Sequence, residues 1–358
     1  MWAMIVKEFR QLRRDRRTLA MMIVLPVLML VIFGYAANFT VSQISTVVVG
    51  PQAITTAAQL KAPFRVVETD PKSGISTAKS RLLNGNAEVA FITGPGNTQV
   101  LMDGTQLFAV ETAETTLGRM AQAARAAMAP PLDVSILYNP KLNTSWVLVP
   151  GLAGLILVFI GTLITSLGVV RERQSGTLEQ LAVMPLRPWD VIAGKIVPYF
   201  IVASLDLIVI IAVGILLFGV PFVGNIAVFA LGAILFLLVT LGMGVLISTV
   251  SQNQGQAIQL AFMVMLPQIL LSGLIFPIDS MSAGVRWISY ILPLTYFIDV
   301  SRGVMLKGMS IAALSEPLAL LAILAVVVLA LAMLRFRRDL APSSRRYQNS
   351  LTEPKVAA

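Results

Sequence analysis

The chain has 358 residues, 56% of them hydrophobic and only 13% charged, with a mean hydropathy of +0.82 and a formal net charge of +9. A globular domain carries roughly 25% charged residues, so the surplus apolar surface calls for lipid. Zero cysteines and zero histidines exclude disulfides, thiolate nucleophiles, Cys/His metal centres and a histidine general base, and the basic residues sit beside hydrophobic spans, where membrane topology rather than nucleic acid explains them.

Taken in chain order, residues 1–18 place Trp2, Ile5, Phe9 and Leu12 at helical spacing with Lys7, Arg10, Arg14 and Arg17 on the other faces. That pattern predicts an amphipathic elbow helix in the headgroup plane, and it opposes a cleavable signal peptide. Six stretches approach the roughly 20 apolar residues that cross a bilayer: 19–37, 147–170, 196–218, 226–250, 257–276 and 317–334. Basic residues gather on one side of these spans, at 7–17, at Arg171, Arg173, Arg187 and Lys195, and at 335–346. On the other side stand Lys141, Arg286, Arg302 and Lys307. The positive-inside rule then makes both termini cytoplasmic and 38–146 external.

The external segment alternates strand-like runs at 45–49, 64–68, 88–93 and 98–102 with helical runs at 52–60, 76–83 and 106–128, punctuated by Gly85, Gly94, Gly96 and Gly104. It reads as a small α/β domain. Its Asp103 and Glu111 lack metal-ligand spacing and read as solvated carboxylates; no metal is expected.

The cytoplasmic segment 171–195 is more informative. Gly176 breaks the helix leaving the second span, Thr177 and Gln180 stand at capping-box spacing, and Pro185 stops the new helix after about two turns. The 177–184 helix shows Leu178, Leu181 and Ala182 on one face and Glu179 and Gln180 on another. It is too short to hold alone in water and suits a partner's groove. Pro188 opens the helix into the third span.

Within the membrane, Asp206 falls near the middle of the third span, where a charge is costly. Two readings stand: a functional carboxylate on a substrate route, or one satisfied by hydroxyls such as Ser204. Gln259 and Gln268 in the fifth span, with Thr162, Thr165 and Ser166 in the second, line the same route if it exists. Between 277 and 315, Pro277 and Pro293 predict short re-entrant or surface helices, with Trp287, Tyr290, Tyr296 and Phe297 as an outer interfacial belt. The tail 335–358 is basic.

The run from Arg171-Glu172-Arg173 through Gly176-Thr177-Leu178-Glu179-Gln180-Leu181 to Met184-Pro185-Leu186 resembles the signature loop of ABC-2 type transport permeases. Four further segments match the same family: Tyr138-Asn139-Pro140 with Val149-Pro150-Gly151, Ser272 through Pro277, Leu292-Pro293-Leu294-Thr295-Tyr296 with Arg302-Gly303, and Leu101-Met102-Asp103-Gly104. The resemblance implies a six-span α-helical polytopic membrane protein with an elbow helix and an inserted external α/β domain. It also implies the permease subunit of an ATP-driven exporter in the bacterial inner membrane, moving a hydrophobic or amphipathic compound outward. Its partners would be two ATPase subunits carrying ATP and Mg, a second permease subunit, membrane lipid and a periplasmic adaptor on the external domain. The implied ATPase-coupling residues are Glu172, Gly176, Thr177, Leu178, Glu179, Gln180, Leu181 and Pro185, and the implied outer gate contains Pro277, Trp287, Tyr290, Pro293 and Tyr296. Consistent with an external energy source, the chain has no Gly-x-x-x-x-Gly-Lys-Ser/Thr phosphate loop and no catalytic set of its own. Two rivals remain: sodium efflux by the same superfamily, and a membrane sensor or scaffold built on the external domain.

Overall fold

The computed structural model describes residues 43–94, 98–126, 132–175 and 188–340. The elbow helix 1–18, the first span 19–37, the segment from Gly176 to Pro185 and the tail beyond 340 lie outside the described residues.

The α/β unit is a sheet in the order β2-β1-β3-β4-β5. Strand β1 (Ile44–Val49) leads to α1 (Ala53–Gln59), β2 (Phe64–Asp70), α2 (Ile75–Leu83) and β3 (Val89–Thr93). Then come β4 (Thr98–Asp103), α3 (Leu107–Ala126) and β5 (Leu132–Leu137). Strand β1 pairs in parallel with β2 and β3, β3 runs antiparallel to β4, and β4 is parallel to β5. Because successive side chains alternate faces, Ile44, Val48, Val89, Phe91, Val100 and Met102 pack under α1 and α3. Val47, Val49, Ala90 and Leu101 face α2 through Ala78 and Leu82. Coverage on both faces explains the unbroken apolar run Val47-Val48-Val49. The four strands read from the sequence are present. The fifth is an addition to that reading: β5 is an edge strand with a half-exposed pattern, and only the return crossover through α3 brings it beside β4.

Among the described residues five helices are long and apolar enough to cross a membrane: Thr144–Gln174, Ile196–Phe218, Ile226–Val250, Gln254–Leu271 and Ser315–Arg335. They lie in α4 (Thr144–Gln174), α5 (Pro188–Phe218), α6 (Ile226–Val250), α7 (Gln254–Leu271) and α10 (Ser315–Leu340). Between α7 and α10 come a single 3-10 turn (Ile278–Ser280), α8 (Ala283–Ser289) and α9 (Pro293–Met305). Pro277 and Pro293 stand immediately before the 3-10 turn and at the first position of α9, as their fixed φ and missing N–H require. The fifth span ends five residues earlier than its hydropathy suggests: Gly273 takes a φ of +83° and turns the chain out of α7 at Leu271.

Against lipid, burying an apolar side chain gains little hydrophobic free energy, so close packing must hold these helices together. Small residues supply it. A Cβ on Gly161 would lie 2.8 Å from Thr240, and one on Gly244 would lie 2.7 Å from Thr165, so α4 and α6 meet nearly backbone to backbone. Helix α9 is buried along almost its whole length against α4, α6 and α10, with Phe297 stacked on Phe236 at 4.3 Å between ring centroids. This corrects the interfacial-belt reading for two of its four aromatics. Trp287 and Tyr290 are 58% and 55% exposed, whereas Tyr296 and Phe297 are 7% and 0%, because α9 turns that face into the bundle.

Candidate functional site at the junction of the two units

The α/β unit sits on the end of the bundle where α4 begins, α7 ends and α9 packs. Its connection to α4 is pinned by Asn139, which is fully buried. The Asn139 Oδ1 accepts the Asn143 backbone N–H at 2.9 Å, and its Nδ2 donates to the carbonyls of Gly104 and Asn143 at 3.3 and 3.1 Å. Tyr138, at a φ of +65°, takes the left-handed turn just before it.

Beside this hinge, Lys307, just past the C-terminal end of α9, holds the two units together, while Arg302 in the last turn of α9 ties that helix to the rest of the bundle. Lys307 donates to Asp103 Oδ2 at 2.5 Å and to the Leu82 carbonyl at 3.2 Å, and its ammonium stands 5.6 Å from the centre of the Tyr138 ring. Both members of the ion pair are buried, with side-chain exposures of 7% and 1%. Asp103 Oδ1 also accepts from the backbone N–H and hydroxyl of Thr105 at 3.0 and 2.7 Å. Asp103 is therefore not the solvated carboxylate its isolation in the sequence suggests. Its partner lies 204 residues further along the chain, where no local pattern reveals it. Glu111, by contrast, is exposed on α3.

Arg302 bridges three elements. Its Nε donates to the Val147 carbonyl at 3.0 Å, and its Nη atoms reach the Gly273 and Leu274 carbonyls at 3.5 and 3.4 Å. These oxygens belong to the first turn of α4 and the turn after α7. Beside Arg302, a cavity of about 330 Å³ opens between the α/β unit and the ends of α9 and α10. Asp299, Glu316, Tyr290 and Tyr296 line it together with Met309, Leu314 and Leu320. Asp299 is exposed to this space, one turn before Arg302. Asp299, Arg302 and Lys307 do not stand out in the sequence as a set; their i, i+3 and i+8 spacing, along α9 and just past its end, was the available signal.

Other residues singled out from the sequence take separate places. Tyr296 donates its hydroxyl to the Tyr290 carbonyl at 2.5 Å, and Thr295 Oγ1 donates to Ser289 O at 2.7 Å, closing the corner between α8 and α9. Gln268, fully buried, accepts the Leu294 backbone N–H at 3.2 Å and so satisfies an open donor at the start of α9. Asp206 and Thr165 share a cleft of about 20 Å³ between α4, α5 and α6, and Thr165 Oγ1 has no hydrogen-bond partner among the described residues. Gln259 Oε1 on α7 likewise has none. Asp206 and Gln268 therefore do not converge, since Gln268 belongs to the corner where α9 begins. Glu172 is half-buried in the last turn of α4; the other coupling residues lie outside the described residues.

Glu88 adds a titratable group to the junction. Ser45 donates to Glu88 Oε2 from its backbone N–H at 2.9 Å and from its hydroxyl at 3.3 Å. Burial nonetheless pushes the carboxyl up to about 7, with Asp279 and Asp103 adding to the rise. A carboxyl raised in the folded state stabilises the fold fully below its ordinary range, and that contribution is lost as pH climbs through about 7. The apparent Tm of the purified protein is therefore expected to fall between about pH 5 and about pH 8, and Glu88→Gln to flatten that fall. An unchanged slope in the variant would contradict this role for Glu88.

The family model described as ABC-2 family transporter protein matches residues 16–334. The probable multidrug ABC transporter permease YbhR of Escherichia coli (strain K12) is 30% identical over 341 residues, covering 87% of this chain and 91% of that protein. The probable multidrug ABC transporter permease YbhS of the same strain is 32% identical over 337 residues, covering 86% and 88%. The inner membrane transport permease YhhJ, also from that strain, is 29% identical over 215 residues, covering 58% and 56%.

Proposed function

This chain belongs to the ABC-2 family of transporter proteins, and from that premise we propose that it exports a hydrophobic or amphipathic compound across the bacterial inner membrane. It is the multi-pass permease subunit of an ATP-binding-cassette transporter and not itself an enzyme; ATP is hydrolysed in a separate subunit. The reading extends to two permease copies with two ATPase subunits, to cytoplasmic termini and to an external α/β unit.

The observation that carries the cargo class is the junction cavity, which combines carboxylates and phenol hydroxyls with an apolar wall of Met309, Leu314 and Leu320. Such a lining suits a compound with one polar end and an apolar body. The names of YbhR and YbhS as probable multidrug permeases agree with that class. Alternation of the helices supports the orientation. With α4 starting at the α/β unit, the span ends at Gln174, Val250, Gln254 and Arg335 fall on the opposite side, and among the described residues of the basic collar Arg171, Arg173 and Arg335 stand there.

In this reading the 177–184 helix seats in the ATPase subunit, and its motion reaches the junction through α4. A partner shifts an equilibrium only through contacts that differ between the two states. Glu179→Arg and Leu181→Asp are therefore expected to cut ATP-driven export in reconstituted vesicles about tenfold or more, the scale of losing a buried anchor at a helix-in-groove contact. Membrane insertion should be unchanged. Normal export by both variants would overturn the coupling assignment.

A further inference from the structure

The inner ends of α4, α6 and α7 carry a connection that the outer junction does not explain. The turn between α6 and α7 is unusually closed. Gln252 directs its backbone N–H to Gln256 Oε1 at 2.9 Å, not back to the Ser248 carbonyl four residues earlier. Asn253 caps α7 by accepting the Gln256 N–H at 2.9 Å. The Ser248 and Ser251 carbonyls are left at the C-terminus of α6, both in fully buried residues. A helix C-terminus carries partial negative charge and unsatisfied oxygens, which favour a cation.

Arg173, in the last turn of α4, supplies that cation. Its Nη1 donates to the Ser251 carbonyl at 2.9 Å and to the Ser248 carbonyl at 3.1 Å. The next residue repeats the link, since Gln254 Nε2 donates to Gln174 Oε1 at 3.0 Å. Just above, Val170, Ile247, Ala257 and Ala261 close an apolar cluster across the same three helices. Two residues after Ser175 in α4's cap, the chain enters the 177–184 segment, so Arg173 lies between that segment and the α6–α7 turn.

We propose that Arg173 is a positioning residue that makes the inner end of α4 and the α6–α7 turn move as one body, so that a push on the 177–184 helix displaces three spans together. This rests on the coupling reading given above. Bulky packing alone would resist compression but not tension; charge-assisted hydrogen bonds to fixed carbonyls resist both and are directional. Lysine, with one compact ammonium in place of a planar fork, would keep only part of the link.

The test uses the complete transporter, permease with its ATPase, reconstituted in vesicles, and it benefits from a chain with no native cysteine. Arg173→Ala is expected to lower transport per ATP hydrolysed about tenfold, the scale of losing a charge-assisted hydrogen bond, while ATP hydrolysis continues. Arg173→Lys should fall between. In an Arg173→Ala background also carrying Gln174→Cys and Gln254→Cys, a bismaleimide cross-link replaces the lost connection covalently and should restore the ratio. Spin labels at the same two positions should report a constant separation through the nucleotide cycle with Arg173 present, and a varying one in Arg173→Ala. A merely structural role would lower the yield or Tm without moving the transport-to-ATP ratio, and that result overturns the proposal, as does a cross-link that restores nothing. Leu181→Asp measured in parallel separates the two readings. Normal transport by Leu181→Asp defeats the coupling assignment itself, whereas a full ratio in Arg173→Ala beside a defective Leu181→Asp defeats only the link.

Discussion

Lys307→Met is expected to destabilise the protein by about 3–5 kcal/mol, because it leaves the Asp103 carboxylate buried without its counter-charge. The pair is buried on both sides, so water does not take over the role of the ammonium. The Thr105 hydrogen bonds to Asp103 Oδ1 remain, but they do not neutralise the charge facing the bundle. The apparent Tm should fall by several degrees, and the α/β unit should become more sensitive to protease at its contact with α9. Removing both charges is milder than removing one. The double variant Asp103→Asn with Lys307→Met should therefore recover most of the lost stability, since asparagine keeps an oxygen for the Thr105 N–H. A single variant that melts like the parent, or a double variant no better than the single, would show that the pair does not clamp the two units.

Gly154→Val carries the second large effect, through packing. A Cβ at position 154 would stand 2.5 Å from Phe297 Cδ1 and 2.7 Å from Leu294 Cδ1. The ring has no room to yield, since Phe297 is fully buried, stacked on Phe236 at 4.3 Å and near Phe229 at 6.2 Å. Overpacking of this kind costs about 1–3 kcal/mol and sometimes more, and here it pushes α9 away from α4. Because α9 carries Arg302, separation also lengthens the hydrogen bond to Val147. Folded yield and export are both expected to drop. Gly118→Ala serves as the contrast: Gly118 lies on the exposed face of α3 with nothing within 4 Å of a new Cβ. There alanine should be neutral or stabilising by up to about 1 kcal/mol from helix propensity. If both substitutions behave alike, the close approach of α4 and α9 is not what holds the junction.

Much of this architecture was legible because its causes are local. The predicted spans 196–218 and 226–250 coincide with the apolar helices observed, since hydropathy over about 20 residues is a property of the segment itself. Four strands of the sheet follow from their alternation with helical runs and glycine punctuation, and Pro277 and Pro293 break the region between α7 and α10 where a missing N–H must. The limits of local reading appear where partners are distant. Asn139, quoted for its family motif, is the pin of the hinge into α4, and that role needs Gly104 from another strand end. Gln268, read as a lining group, caps α9 through Leu294. Strand β5 waits on a crossover.

By itself, then, the sequence determined which of the described segments are long and apolar enough to cross a membrane, the order of the first four strands of the α/β unit and, through its motifs, the family. The tertiary structure alone decided which polar groups meet: Asp103 with Lys307, Arg302 with Val147, Arg173 with Ser248 and Ser251. It also decided that Tyr296 and Phe297 turn inward while Trp287 and Tyr290 turn out. The physical reason is one of range. Hydropathy, capping and turn chemistry act over a few residues, whereas a buried charge in a medium of low dielectric must find its partner wherever the fold brings one, and hydropathy alone does not distinguish an aromatic facing lipid from one facing another helix.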